Sequence, residues 1–413
     1  MRGQAARLLG WLDGNAGVSV MDVGWSLAAC RSVFEYRAVV LGDGLEELRS
    51  GLAAVAGGVP AAGVVTAGRA GTPAVGVMFS GQGSQRVGMG AGLYSLPGVF
   101  RRVVDEVCGL VDGLVGGSLR EVMFTGPVER VDSTRWAQPA LFVFELALWR
   151  QLEAWGVRAE VVMGHSVGEL VAAHVAGVWS LEDAVRLVVA RGELMDEVTE
   201  AGAMVAVAAS ESDVAGLLPE GVEIAAVNGP SAVVISGRVD AVESVVVDCD
   251  RRGWRSRRLA VGQAFHSVLM DRAAERFRRV VAGVPAQHPS IPVVSTLTGR
   301  FATGDELADP DYWAAQLRRT VRFADGVQTM AGRGTDLAVE VGPDATLASA
   351  VSDITGQLSG IGLQRRGRDE VRALLTGLAT LFVHGAPIAW NTVLPPGTPV
   401  DLPTYAFQHD RYW

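Results

Sequence analysis

Cysteine is scarce in this 413-residue chain, and its three copies, Cys30, Cys108 and Cys249, lie far apart. That scatter argues against a disulfide framework or a zinc site and points to a reducing compartment. Long apolar runs are also missing. No stretch of ~18 uncharged apolar residues occurs, so no membrane span is expected. The N-terminal residues Met1-Arg2-Gly3-Gln4 lack the apolar core of a signal peptide, and a cytoplasmic location is expected. Positive charge is outweighed: the net charge is −9 and the pI about 5.3, which makes nucleic acid an unfavourable partner. An anionic substrate would need a local, well-placed cation. Histidine is limited to six residues, which narrows any search for a general base. Hydrophobic residues make up 49%, enough for a large core, and the length suits two or three domains.

Against that background one hexapeptide stands out, Gly164-His165-Ser166-Val167-Gly168-Glu169. It follows Val161-Val162-Met163, which reads as a buried strand, and opens Leu170 to Ala176, which reads as a helix ending near Gly177. A strand, a Gly-x-Ser-x-Gly turn and a helix form a nucleophile elbow. The sharp turn projects the serine hydroxyl, the glycines spare the backbone a Cβ clash, and the helix start offers free N–H groups to an oxyanion. The chain has 51 glycines, so the bare pattern could be a Gly-rich turn; the flanking strand and helix favour a nucleophile.

Ser166 needs a base. His165 sits on the turn itself and should point away, His174 lies mid-helix, and His288, His384 and His409 fall in loops or the tail. His266 remains, as base or as a packed structural histidine. No Asp completes a hydrolase-type triad, so a dyad with a backbone carbonyl orienting the imidazole is the natural arrangement. The loop Phe79 to Gln85 follows another buried strand. It lacks the Lys of a phosphate-binding loop, and its glycines suit a second oxyanion donor beside the Val167 N–H. Arg191 lies in an apolar helical stretch, either snorkelling to the surface or clamping a carboxylate.

The segments also suggest an order. Residues 1–73 hold helix-like stretches, one strand-like run at Arg37 to Leu41 and a Gly/Ala/Pro-rich tail. Residues 74–200 and 263–355 read as one large α/β domain. Residues 201–262 alternate as strand, helix, strand, strand, helix, strand, a ferredoxin-like pattern inserted into it. A helix over Arg368 to Val383 and a Pro-rich tail ending Tyr405 to Trp413 complete residues 356–413.

Taken together, these motifs resemble the acyltransferase domain of modular polyketide synthases, related to malonyl-CoA:acyl-carrier-protein transacylases. The likeness is carried in order by Phe79 to Gln85, Gln138-Pro139-Ala140-Leu141, Gly164 to Glu169, Ala190-Arg191-Gly192, Val227-Asn228-Gly229-Pro230, Ala264-Phe265-His266-Ser267 and Glu340-Val341-Gly342-Pro343. It implies an α/β-hydrolase-like core with a ferredoxin-like subdomain. Residues 1–73 would be a ketosynthase-to-acyltransferase linker and the tail a post-acyltransferase linker, so the chain would be a piece of a larger synthase with a ketosynthase neighbour. Ser166 would be acylated and His266 its base. Gln82 and Val167 would supply oxyanion N–H groups, Arg191 would pair with the extender carboxylate, and Gln138 and Asn228 would support the site. The substrate would be a malonyl-type acyl-CoA, the acceptor the phosphopantetheine of an acyl carrier protein, with no permanently bound cofactor and no metal.

Malonyl-selective members typically show His-Ala-Phe-His and methylmalonyl-selective ones Tyr-Ala-Ser-His. Here Gln263-Ala264-Phe265-His266 keeps the Phe but departs at Gln263, and Gly262 replaces a usual Ser. Phe265 and Val167 favour plain malonyl; a larger 2-substituted malonyl is the alternative. Two other classes stay open at this level, a serine hydrolase and a non-catalytic docking scaffold.

Overall fold

The computed structural model describes residues 1–15 and 17–407 and divides into two compact units. The first comprises Met1–Pro73, Leu152–Arg158 and the segment from Val371 onward. Its two strands, β1 (Tyr36–Val40) and β2 (Val64–Arg69), pair antiparallel. Helices Arg2–Gly14 and Leu45–Gly57 share one apolar core through Leu8, Leu12, Leu48, Leu52 and Val55, and Leu402 joins it. The β2 strand occupies what the sequence suggests is an irregular Gly/Ala/Pro-rich tail. Its short β-branched run Val64-Val65-Thr66 becomes a strand because β1 is available to pair with it. A helix at Val20–Ala29 also goes unread in the sequence. Of the Tyr405 to Trp413 tail, Gln408 onward lies outside the described residues.

The second unit, Ala74–Gln151 with Ala159–Glu370, carries in chain order β3 (Val75–Phe79), β4 (Val161–Gly164), β5 (Gly202–Val207), β6 (Val222–Gly229), β7 (Ala232–Arg238), β8 (Ser256–Arg258), β9 (Val293–Val294), β10 (Leu337–Val341) and β11 (Ser359–Gly362). Five of them form a parallel sheet in the order β11-β10-β3-β4-β9. Every residue of β3, β4 and β10 is buried. That explains their continuous apolar composition: a parallel sheet covered on both faces has no polar side to mark. The other four form an antiparallel sheet in the order β6-β7-β5-β8, with helix Val239–Arg251 packed on Val205, Val207 and Ile235 through Val242, Val245 and Cys249. The unit is thus an α/β fold with a second, antiparallel sheet set into it. No helix among the described residues is long and apolar enough to cross a membrane.

Register positions the chemistry. Phe79 pairs with Gly164, so β3 and β4 end side by side and their loops leave the same edge of the sheet. Crevices at the carboxyl ends of parallel strands are where α/β folds bind ligands. Beneath that edge β10 contributes Glu340, buried, which accepts from Ser80 Oγ at 2.8 Å and from the Ala348 N–H at 2.7 Å. Burial raises its carboxyl to about 7, and burial together with Glu340 holds neighbouring Glu145 well above the ordinary range.

Glu340 therefore keeps its proton in the fold to about pH 7 but releases it near 4.5 when unfolded. Between those values the native state binds more protons, so this contribution to stability is present at low pH and is lost as pH rises toward 7. Glu340→Gln keeps an acceptor for Ser80 and removes the titration. Urea unfolding from pH 5 to 8 is expected to show the wild type losing stability relative to Glu340→Gln as pH rises. A pH-independent difference would mean Glu340 is ionised throughout.

Candidate active site

Ser166 takes φ +53°, a left-handed backbone that residues with a Cβ rarely adopt. Neither glycine of the elbow does. They are required by close approach instead: a Cβ on Gly164 would lie 2.0 Å from the Gly168 carbonyl carbon, and one on Gly168 would lie 2.5 Å from the carbonyl oxygens of Phe79 and Ser80. The strained serine and its two tight neighbours bring β4, the β3 loop and helix Gly168–Val175 into backbone contact.

His266 comes to this serine from 100 residues further along the chain. Its Nε2 lies 2.8 Å from Ser166 Oγ, and its Nδ1 lies 2.9 Å from the Arg319 carbonyl. A carbonyl can only accept, so Nδ1 carries the proton and Nε2 is free to accept from the hydroxyl. The ring is 5% exposed, and its pKa is pushed down to about 3, first by burial and then by Arg191, His165 and Arg318. His266 also has positive φ, +56°.

Arg191 is 1% exposed, which removes the snorkelling alternative. Its Nη2 donates to Ser166 Oγ at 3.1 Å and its Nη1 to Gln138 Oε1 at 2.9 Å, while Nε has no hydrogen-bond partner among the described residues. Burial lowers its pKa to about 10, and Glu169 opposes that shift, so it is cationic at neutral pH. Gln138 Nε2 in turn approaches Gln82 Oε1 at 3.4 Å, and Gln82 Nε2 donates to Thr134 Oγ1 at 3.2 Å. Ser166, Arg191, Gln138 and Gln82 form one hydrogen-bonded chain. The Gln82 and Val167 backbone N–H groups donate to no other group among the described residues.

Asn228 joins indirectly: its Oδ1 accepts from His165 Nε2 at 3.0 Å, which turns the His165 ring away from Ser166 Oγ. His174 is packed in the core, with Nδ1 at 3.0 Å from the Trp179 carbonyl. Phe265 is buried beside His266 in the chain and Gln263 half-buried. No hydrogen bond among the described residues links the Gln263 side chain to the site. An open hollow of about 360 Å³ reaches His266 and is bordered by Glu223, Leu297, Arg318, Arg319 and Thr320.

Sequence reasoning misses four participants. The Arg319 carbonyl is a backbone acceptor and has no side-chain signal. Thr134 and Gln316 are ordinary polar residues on helices; Gln316 Nε2 donates to the Ser166 carbonyl at 2.7 Å. Glu169 stands inside the elbow motif, yet only the fold shows it buried against Thr296 and Tyr312.

Known proteins resemble this chain along its whole length. The acyl transferase domain model matches residues 77–387. Polyketide synthase GfsA of Streptomyces halstedii is 49% identical over 434 residues, covering 100% of this chain and 6% of that protein. The chain therefore spans a small fraction of that relative's length. The crystal structure of the acyltransferase domain from the second module of the salinomycin polyketide synthase superposes with a TM-score of 0.84 at 44% identity, covering 98% of this chain and 96% of that one. A malonyl-transacylase in complex with its type II polyketide acyl-carrier protein matches at TM-score 0.67 and 28% identity, covering 74% of this chain and 99% of that one.

An ordinary histidine would make Ser166 reactivity fall by half near pH 6.5. With the His266 pKa at about 3, the imidazole is neutral throughout the neutral range, and phosphonylation of Ser166 by a fluorophosphonate should not lose a limb between pH 5 and 7. Arg191→Ala removes one cation that opposes the imidazolium but leaves the larger effect of burial. The low-pH limb should then move upward while staying below 6.5. A wild-type midpoint near 6.5 would show that His266 is neither dry nor facing a cation.

Proposed function

The chain belongs to the acyl transferase domain family, and from that membership we propose that it loads a malonyl-type extender unit from CoA onto Ser166 and passes it to the phosphopantetheine thiol of an acyl carrier protein. One observation carries the reading: Ser166 Oγ lies between a neutral imidazole acceptor at 2.8 Å and a buried guanidinium donor at 3.1 Å. A nucleophile activated by a base and set against a dry cation suits an acyl group that ends in a carboxylate.

The steps follow from these groups. Ser166 Oγ attacks the thioester carbonyl while His266 Nε2 takes its proton, and the Gln82 and Val167 N–H groups receive the carbonyl oxygen as it becomes anionic. The C–S bond breaks, and the imidazolium returns its proton to the departing CoA sulfur. The malonyl ester remains on Ser166. The carrier thiol then attacks the ester, His266 again takes the proton, the same donors hold the oxyanion, and as the C–O bond breaks the imidazolium returns that proton to Ser166 Oγ. Arg191 releases the serine hydroxyl and pairs with the extender carboxylate, held in place by Gln138; its unpartnered Nε offers a further donor. His165 and Asn228 brace the turn from the other side.

We read the antiparallel sheet, whose order β6-β7-β5-β8 follows a strand-helix-strand-strand-helix-strand sequence, as a ferredoxin-like subdomain in a hydrolase-like core. Residues 1–73 and the segment after residue 355 are read as the linkers that join this domain to its neighbours, the ketosynthase among them, in a parent synthase. The carrier-protein partner is supported by the similarity to a transacylase solved with its carrier. Malonyl is the extender favoured by Phe265, with a 2-alkylmalonyl group the alternative raised by Gln263.

Mixing with malonyl-CoA should add one malonyl mass to the wild type and none to Ser166→Ala, read by intact-protein mass spectrometry. Arg191→Ala should lose at least ~10²-fold in kcat/KM for malonyl-CoA, because a charge-assisted bidentate pair is lost, and far less for acetyl-CoA. Equal losses for both would make Arg191 structural.

Phe265→Ser should shift preference toward methylmalonyl-CoA by about 1–3 kcal/mol, the value of one methyl group in an apolar pocket. If wild type accepts alkylmalonyl-CoAs, Gln263→His should narrow it back to malonyl. Competition among malonyl-, methylmalonyl- and a longer alkylmalonyl-CoA reads both variants, and unchanged ratios in Phe265→Ser would refute the steric role of this segment.

A further inference from the structure

The nucleophile is gripped from a helix that the motifs do not include. Gln316, 2% exposed on helix Pro310–Arg318, donates Nε2 to the Ser166 carbonyl at 2.7 Å and lies 3.5 Å from Glu169 Oε2. Both neighbours are acceptors, so the orientation of the amide is settled: the flipped form would set Oε1 against two oxygens. The Glu169 N–H donates to the same Ser166 carbonyl at 3.1 Å. The Glu169 carboxylate is itself tethered by the Thr296 N–H at 3.1 Å and by the hydroxyls of Thr296 and Tyr312, and Tyr312 also reaches Ser295 Oγ at 2.6 Å.

This carbonyl matters because of peptide planarity. The Ser166 C=O and the Val167 N–H belong to one rigid plane and point in opposite directions. Whatever fixes the carbonyl therefore aims the N–H. Ser166 holds a left-handed φ that costs about 1–2 kcal/mol for a residue with a Cβ, so this plane needs an outside restraint to stay where it is. Just past the end of the same helix, the Arg319 carbonyl accepts from His266 Nδ1. One short stretch of chain thus holds the peptide behind the nucleophile and the ring of its base.

We propose that Gln316 is a positioning residue of the acyl transfer: its amide, anchored by Glu169, locks the Ser166–Val167 peptide so that the Val167 N–H faces the oxygen that becomes anionic. The inference rests on the transfer reaction proposed above. Gln316 touches neither substrate nor the reacting atoms, so its loss acts on the transition state and leaves ground-state binding alone.

Gln316→Met matches the side chain in length and removes the donor. The expected result is a kcat for malonyl transfer about 30- to 100-fold lower, with KM within about 3-fold, since a misaimed group costs on this scale. Phosphonylation of Ser166, which also builds charge on an oxygen in the oxyanion site, should fall in step. Trp313→Phe is the control. It sits on the same helix and loses a buried hydrogen bond to the Leu307 carbonyl, but it keeps an aromatic ring against Tyr312 and makes no hydrogen bond to Ser166 among the described residues, and it should keep its kcat even where its melting temperature drops as far. Gln316→Asn keeps an amide but withdraws it from the Ser166 carbonyl, and it leaves Glu169 and its effect on Arg191 in place. It should show a smaller loss, about 3- to 10-fold and again in kcat alone, and it decides the matter if Gln316→Met does not fold. A malonyl ester on wild-type Ser166 together with unchanged kcat in Gln316→Met, or with equal kcat losses in Trp313→Phe, overturns the role of Gln316. Absence of that ester in the wild type overturns the transfer reading itself.

Discussion

A guanidinium sealed from water whose hydrogen bonds, among the described residues, go to neutral groups is the constraint around which this site is arranged. Among the described residues Arg191 makes no ion pair; it donates to Gln138 and to the Ser166 hydroxyl, and its Nε finds no acceptor there. Desolvating an unpaired cation costs several kcal/mol. The fold meets that cost partly with Glu169, a buried carboxylate that acts on Arg191 through space, and partly with the amide dipoles of Gln138 and Gln82. An arrangement that leaves a buried cation short of a direct counterion is one that an incoming carboxylate completes. The same positive charge, added to burial, keeps His266 neutral and ready to accept a proton.

The second demand is geometric. A serine at positive φ is stable only where its surroundings over-determine it. Here Gly164 and Gly168 permit the close approach of the β3 loop, Glu169 and Gln316 hold the carbonyl, and Arg191 and His266 hold the hydroxyl. The two demands share a residue. Glu169 tempers the guanidinium's charge and anchors the amide behind the elbow, so electrostatics and backbone geometry cannot be altered independently there.

The nucleophile was legible in the sequence because an elbow is local. Its strand, turn and helix are contiguous, and the burial of β4 shows as an unbroken apolar run. His266 could be reached by elimination, since few histidines compete. Arg191 stood out as a cation in apolar surroundings, but its two readings, exposed stem or buried clamp, differ only in which way a helix faces, and that is set by packing. The strand β2 was unreadable for a related reason: its pairing partner lies more than twenty residues away, and nothing in its own Gly-rich surroundings declares it.

By itself, then, the sequence determined what depends on residue type and near-neighbour spacing: the α/β alternation, the elbow, the loop after β3, and the small set of side chains able to act as base, cation and support. Tertiary structure alone decided what depends on meeting across the chain. The register of Phe79 with Gly164 set the two loops side by side. The turn at His266 laid its ring on a backbone carbonyl that carries no sequence signature, and helix Pro310–Arg318 delivered Gln316, an ordinary polar residue in the sequence, to the carbonyl of Ser166. A hydrogen bond to a main-chain atom can be made by any residue whose path brings it there, so such contacts are written in the path of the chain and not in its letters.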